Sequence, residues 1–300
     1  MEKKESVVII NIKEEDKMII DFHTHTFPDF LAPKVIPKLE KSACIKAFVD
    51  GTVEGLKASM LEAGIDISVV LPAATSPAQV ETCNNSAQKI NEEQPNKIHS
   101  FGAMHPDYAD YKIELKRIKD MGLKGIKLHP DYQKTLFDDI RYKRILECAT
   151  ELDLITVVHA GLDIGLPDPI HATPQRIKNL IDDVHPEKLV LAHMGGFQLW
   201  NEVLELLGDK DVYLDASFSL GTINYSIDAT DEFKMKHKMM DEALFMRMLE
   251  AFGEDRILFG TDSPWGGQKE TLECFKALPL TEGQSEKILS LNASKLLQIR

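Results

Sequence analysis

The stretch MIIDFHTHTF, residues 18–27, sets the reading of the whole chain. It begins as an apolar, β-branched run and ends with His23 and His25 one residue apart. Side chains alternate along a strand, so these two imidazoles project to one side and Phe22 and Thr24 to the other. With Ile20 and Phe22 turned outward onto helices, the alternation predicts both histidines inside the fold. It puts Asp21 on the same face below them, as a buried hydrogen-bond partner rather than a ligand. Two imidazoles on one rigid strand can chelate a single metal ion, although an H-x-H pair by itself is a weak signal.

Similar apolar runs recur along the chain, at 67–73, 98–104, 125–128, 155–159, 188–193, 212–216 and 256–261. With 18–22 they make eight strand candidates. Helical patterns separate them, at 53–63, 84–93, 110–121, 142–152, 173–183, 200–207 and 241–252, and two more follow near 270–278 and 285–298. Thr173 before Pro174 reads as a helix N-cap with proline in the first turn. Gly253 reads as a C-terminal stop. Strands alternating with helices imply parallel strands joined by crossovers, and eight units predict an α/β fold, a closed (β/α)8 TIM barrel. Residues 18–300 form one catalytic domain on this reading, and residues 1–17 an extension or small ribbon. Segment 217–240, which has no clean pattern, follows the seventh strand, where barrel loops extend over an active site.

Composition bounds the function. The 300 residues carry 35 basic and 48 acidic side chains, a net charge of −13, which disfavours nucleic acid and anionic membrane as partners. A small-molecule substrate fits better. No window approaches the roughly 20 apolar residues of a membrane span, and the N-terminal apolar run is too short for a signal segment. Cys44, Cys83, Cys148 and Cys274 are scattered, as reduced core thiols would be. A cytoplasmic protein is expected.

The polar residues at the strand ends carry the chemistry. His159 closes ITVVH, His193 closes KLVLAH, and Asp262 follows RILFGT. With His23 and His25 they stand at equivalent strand ends, the barrel face where catalytic residues collect. A buried polar residue there is costly without a partner. In GIKLHP, Lys127 and His129 share one strand face. Lys127 is read as binding a substrate carboxylate, with a structural ion pair as the alternative. His129 lines the pocket or caps the turn before Pro130. His105 and His171 rank lower, and His99, His185 and His237 read as surface or loop residues. Asp215 is placed to orient a ligand, and Gly195 and Gly196 to let backbone approach the site or simply to turn the chain.

The motifs DFHTHTF, GIKLHPDYQ, VVHAG, LAHMGG and ILFGTDSPW resemble the amidohydrolase-related branch of the amidohydrolase superfamily, metal-dependent TIM-barrel hydrolases and non-oxidative decarboxylases. The resemblance runs from about Met18 to Leu297 and is specific for the family but not for the substrate. It implies a divalent metal held by His23, His25, His159 and Asp262. Zn²⁺ is the first expectation, Mn²⁺ and Fe²⁺ are alternatives, and a second metal is not expected. It also implies that Asp262 handles protons and that His193 acts beside the substrate. Some superfamily members carry a carboxylated lysine on strand four, which leaves a second reading for Lys127. Dimers are common for such barrels, so a homodimer is an open expectation.

Two reactions suit this set. In hydrolysis of a small amide, lactone or ester, metal-activated water attacks, with Asp262 as proton shuttle and His193 facing the developing oxyanion. In non-oxidative decarboxylation of a small hydroxylated or unsaturated carboxylic acid, the same residues serve a lyase. The hydrolase leads only as the commoner family activity. A binding barrel without turnover, and a metal-dependent deoxyribonuclease, rank below both.

Overall fold

The computed structural model describes residues 18–166 and 168–299, so the expected N-terminal ribbon of residues 1–17 lies outside the described residues. The strands are β1 Ile20–Thr24, β2 Ile67–Val70, β3 in two pieces (Ile98–Ser100 and Gly102–Ala103), β4 Gly125–Leu128, β5 Ile155–Val158, β6 Leu189–Leu191, β7 Tyr213–Asp215 and β8 Ile257–Leu258. Each pairs with its neighbour in parallel. The ring closes where the Phe22 N–H donates to the Phe259 carbonyl at 2.8 Å and the Asp262 N–H to the His23 carbonyl at 2.8 Å. This is the expected (β/α)8 barrel.

The predicted helices form, among them α2 Val53–Ala63, α7 Pro174–Val184 and α11 Gln268–Lys276. Thr173 caps α7 by accepting the Arg176 N–H, and Gly253 ends its helix at φ +77°. Three helices had no counterpart in the sequence reading: α1 Ala32–Ala43, α5 Pro130–Gln133 and α9 Asp231–Lys236, the last within the unpatterned segment. Two are too short to show a period. In α1 an internal proline, Pro37, interrupts the pattern.

The first strand departs from simple alternation. Asp21 pairs with Ser68 and Thr24 with Val70, so Phe22 and His23 together oppose Val69 in a bulge. Both therefore point inward. Phe22 and Ile20 do not cover helices as alternation predicts. They join Val69, Phe101 and Leu258 from nearby strands and Val157 from β5 on the opposite side of the ring, a set that can meet only through the barrel interior. Phe22 meets Phe101 edge-on at 6.0 Å, across the intervening β2. Asp21 is turned the other way. Its carboxylate accepts Thr261 Oγ1 at 2.6 Å and Gln268 Nε2 of α11 at 2.8 Å, and Gln268 also reaches Ser68 Oγ at 3.2 Å. Asp21 is thus a buried hydrogen-bond partner as expected, on the opposite face. Its tie to His23 is through the backbone N–H, at 3.2 Å. The bulge lets one strand fill the bottom of the barrel with Phe22 and arm the mouth with His23.

Candidate active site

Above the apolar plug, His23, His25 and Asp262 converge. His23 Nε2 lies 3.1 Å from His25 Nε2, and Asp262 Oδ1 lies 3.0 Å from His25 Nε2 and 3.3 Å from His23 Nε2. The other ring nitrogens fix the tautomers. His25 Nδ1 must donate to the Leu71 carbonyl (2.7 Å), and His23 Nδ1 donates to Asp215 Oδ2 (2.8 Å). Both Nε2 atoms then carry bare lone pairs aimed, with a carboxylate oxygen, at one point. Three acceptors facing each other need a cation between them, so this donor set fits a divalent metal ion. Asp262 holds a left-handed backbone (φ +68°) to reach the cluster, a strain its surroundings impose.

Lys127 crosses the barrel from β4 to put Nζ 3.1 Å from His23 Nε2. It is fully buried, and burial lowers its pKa to about 8 against the pull of Asp215 and Asp262. Burial, then the Lys127 charge, holds His23 well below the ordinary imidazole range. Burial pushes Asp262 upward, but the His25 hydrogen bond and the neighbouring imidazoles outweigh it and leave its pKa lowered. Asp215 is raised by burial and organises the floor: its Oδ1 accepts the His193 N–H (3.2 Å), the Ser217 N–H (3.1 Å) and the Ser217 hydroxyl. Gly260 leaves room for this packing, since a Cβ there would lie 3.1 Å from the His23 Cβ and 3.3 Å from that of Ser217.

His193 and His159 belong to a second group. His193 Nδ1 donates to the Ser217 carbonyl at 3.0 Å, so its Nε2 accepts from His159 Nδ1 at 3.0 Å. His159 Nε2 is left as a buried lone pair without a partner, 4.0 Å from Asp131 Oδ2, which is likewise buried and unpartnered. The His159 ring stacks on His129 at 4.2 Å, and His129 Nε2 lies 3.4 Å from Asp163 Oδ2. Burial holds His159 and His129 well below the ordinary imidazole range. Of the four expected metal ligands, then, His23, His25 and Asp262 are brought together, and His159 groups instead with His129 and Asp163.

A cavity of about 250 Å³ joins the two groups, and Lys127, His129, His159, His193 and Asp262 all line it. Its remaining wall is largely apolar, with Leu39 of α1, Ile164, Phe197, Phe218 and Trp265. His129 fills both roles the sequence left open, since it lines the cavity and accepts the Tyr132 N–H at 3.4 Å as the N-cap of α5. His171 contacts Asp131 at 3.0 Å, and His105 accepts the Asp107 N–H; neither lines the cavity. His237 is buried against Phe233 rather than on the surface. Gly195 serves packing, since a Cβ there would lie 2.8 Å from Val203. Sequence reasoning missed Ser217 and Asp163, which sit in loops, and Asp131, which sits in the short helix α5. Only the DYQ that follows GIKLHP pointed towards one of them.

Comparison with known proteins agrees with this architecture. The structure of a TIM-barrel protein from Bordetella bronchiseptica superposes with a TM-score of 0.70 at 20% identity, covering 94% of this chain and 98% of that one. A 2,6-dihydroxybenzoate decarboxylase from Rhizobium gives 0.68 at 16% identity, covering 94% and 99%. A 5-carboxyvanillate decarboxylase from Novosphingobium aromaticivorans, complexed with manganese and 4-hydroxy-3-methoxy-5-nitrobenzoic acid, gives 0.69 at 15% identity, covering 95% and 97%. At these identities the likeness shows the fold. No curated protein matches the chain. The sequence pattern of the Amidohydrolase family, Amidohydro_2, matches residues 20–299, and the chain therefore belongs to that family.

Proposed function

We propose that the protein is a metal-dependent, non-oxidative decarboxylase of a small hydroxylated aromatic or unsaturated carboxylic acid. One observation carries this reading over hydrolysis, which the sequence alone put first. The cavity wall is largely apolar, and its polar floor combines a cation-seeking trio with the Lys127 amine. An apolar wall favours a reaction that disperses carboxylate charge and offers little to a polar leaving group. Its volume of about 250 Å³ suits a single-ring acid. The decarboxylases of similar fold, one of them holding manganese, support the same choice.

A divalent ion on His23, His25 and Asp262 would supply a fixed positive charge for the substrate carboxylate and its neighbouring oxygen. Zn²⁺ and Mn²⁺ both suit two imidazoles and a carboxylate. Lys127, as an ammonium, adds a second positive contact. The carbon–carbon bond breaks with its electron pair left on the ring carbon, and carbon dioxide departs. Asp262 delivers the proton that arrives with the substrate's acid or hydroxyl group to that carbon. The His193 ring lies beside His23, 5.3 Å between centroids, and orients the reacting end.

The test is a side-by-side screen of Mn²⁺- and Zn²⁺-loaded protein. Hydroxybenzoates and small unsaturated acids are assayed for carbon dioxide release, lactones and amides for hydrolysis. Carbon dioxide release without hydrolysis is expected. Turnover of a lactone or amide with no decarboxylation would restore the hydrolase.

A further inference from the structure

Helix α1 (Ala32–Ala43) follows β1 and ends against segments that follow β5 and β7. The Ser42 hydroxyl donates to the Gly165 carbonyl at 2.5 Å, and a Cβ on Gly165 would lie 3.4 Å from that of Ala43. Just past the helix, the Ser226 N–H donates to the Cys44 carbonyl at 2.9 Å and the Lys46 N–H to the Asn224 carbonyl at 2.6 Å. In a closed ring of eight strands β1 and β5 stand opposite each other. A helix that leaves one and is fastened to the loop of the other must cross the mouth of the barrel.

The face it turns to the cavity is apolar. Val35, Leu39 and Ala43 recur at helical spacing and line it. Ser42, the polar member of that face, has its hydroxyl committed to Gly165. The other polar side chains around the cavity, Lys127 and Asp262 among them, stand at strand ends or in the segments just after them. Ile36, on the neighbouring stripe of α1, is buried beside Gly51 and holds the helix to the body. Val35 and Leu39 are only partly buried and belong to neither apolar core. An apolar side chain left out of the core and facing a cavity is available to a ligand.

We infer that Leu39, with Val35 beside it, is a specificity-determining roof that packs on the part of the substrate remote from its carboxylate. This rests on the decarboxylase reading, which sets the carboxylate at the polar floor. The roof selects acids whose remote edge carries an alkyl group over acids that carry a hydroxyl there. A methyl group buried against it tightens binding about fourfold. A hydroxyl in the same place gives up its water without gaining a partner, and binding weakens.

Binding tests this without turnover. Calorimetry on the Mn²⁺-loaded full chain compares 2-hydroxybenzoates that carry a methyl or a hydroxyl group at ring position 4, and the same pair at position 5. In at least one pair the methyl acid should bind about tenfold more tightly than the hydroxyl acid. Leu39→Asn gives the roof a hydrogen-bonding group and should bring that ratio close to one. Leu39→Ala, which only shortens the side chain, should lower it about threefold and covers the case in which the asparagine variant does not fold. Tighter binding of the hydroxyl acid in both pairs, a ratio that ignores both variants, or an equal loss for both members of a pair would each overturn the roof. If the ratio responds to Leu39 but no acid loses carbon dioxide, the roof stands and the decarboxylase reading falls. If carbon dioxide is released and the ratio stays near one in the parent protein, the decarboxylase stands and the roof falls. If none of these acids binds, both fall.

Discussion

The two polar ends of the cavity are built from the same residue types and do opposite things. At the β1/β8 end each imidazole donates through Nδ1, to Asp215 or to the Leu71 carbonyl, and turns a bare Nε2 inward. At the β4/β5 end His129 accepts through Nδ1 and turns a proton towards Asp163. Histidine–carboxylate proximity alone would make both ends metal sites. What separates them is the hydrogen-bond partner behind each ring, which decides whether a nitrogen offers a lone pair or a proton.

The largest expected effect tests the first end directly. Asp262→Asn removes the trio's negative charge and the proton carrier together. Turnover should fall by roughly 10³-fold or more, the scale for a group that acts in the transition state, and bound metal should fall with it. Asp163→Asn at the other end should leave metal content at one ion per chain. Metal analysis of the two purified variants checks both. Loss of the ion from Asp163→Asn with retention in Asp262→Asn would exchange the roles of the two ends.

A second substitution separates the ends from the plug beneath them. Phe22 is fully buried in the barrel interior. Phe22→Ala should cost about 3–5 kcal/mol of stability, the range for emptying such a site, read from urea unfolding. Metal affinity in the folded fraction should change little, because His23 is held by Asp215 and not by Phe22. If stability is barely altered, Phe22 is not the plug that the bulge implies.

That bulge also marks where the sequence stops being legible. The eight strands and most helices follow from apolar periods and caps that are local in the chain, and so do His23, His25 and Asp262 as neighbours at one barrel face. The orientation of Phe22 does not. Strict alternation turns it outward, and only the pairing of Thr24 with Val70 reveals the extra residue. His159 was legible as a strand-end histidine, but its grouping depends on the tautomer of His193, set by the Ser217 carbonyl 24 residues away in the chain. Asp163 lies in a loop and Asp131 in the single turn of α5, where no period announces which way a side chain faces. Hydrolysis against decarboxylation was illegible for the same reason, since Ile164, Phe197 and Phe218 come to the wall from loops.

The smallest effect is the most discriminating. In Asp215→Asn the amide could in principle turn its oxygen towards His23, but the other carboxylate oxygen already accepts from the His193 N–H, the Ser217 N–H and the Ser217 hydroxyl. An NH₂ placed there would face three donors, so the amide must keep its oxygen on that side and direct its nitrogen at His23 Nδ1. Two donors would then confront each other at a separation of 2.8 Å in the parent protein. His23 is relieved by moving its proton to Nε2, which removes a lone pair from the trio. Metal affinity should drop about 10–100-fold, as for other partners behind a metal-binding histidine, measured by competition with a chelating dye. An unchanged affinity would mean that His23 Nε2 is not among the ligands, and the contrast between the two ends would lose its physical basis.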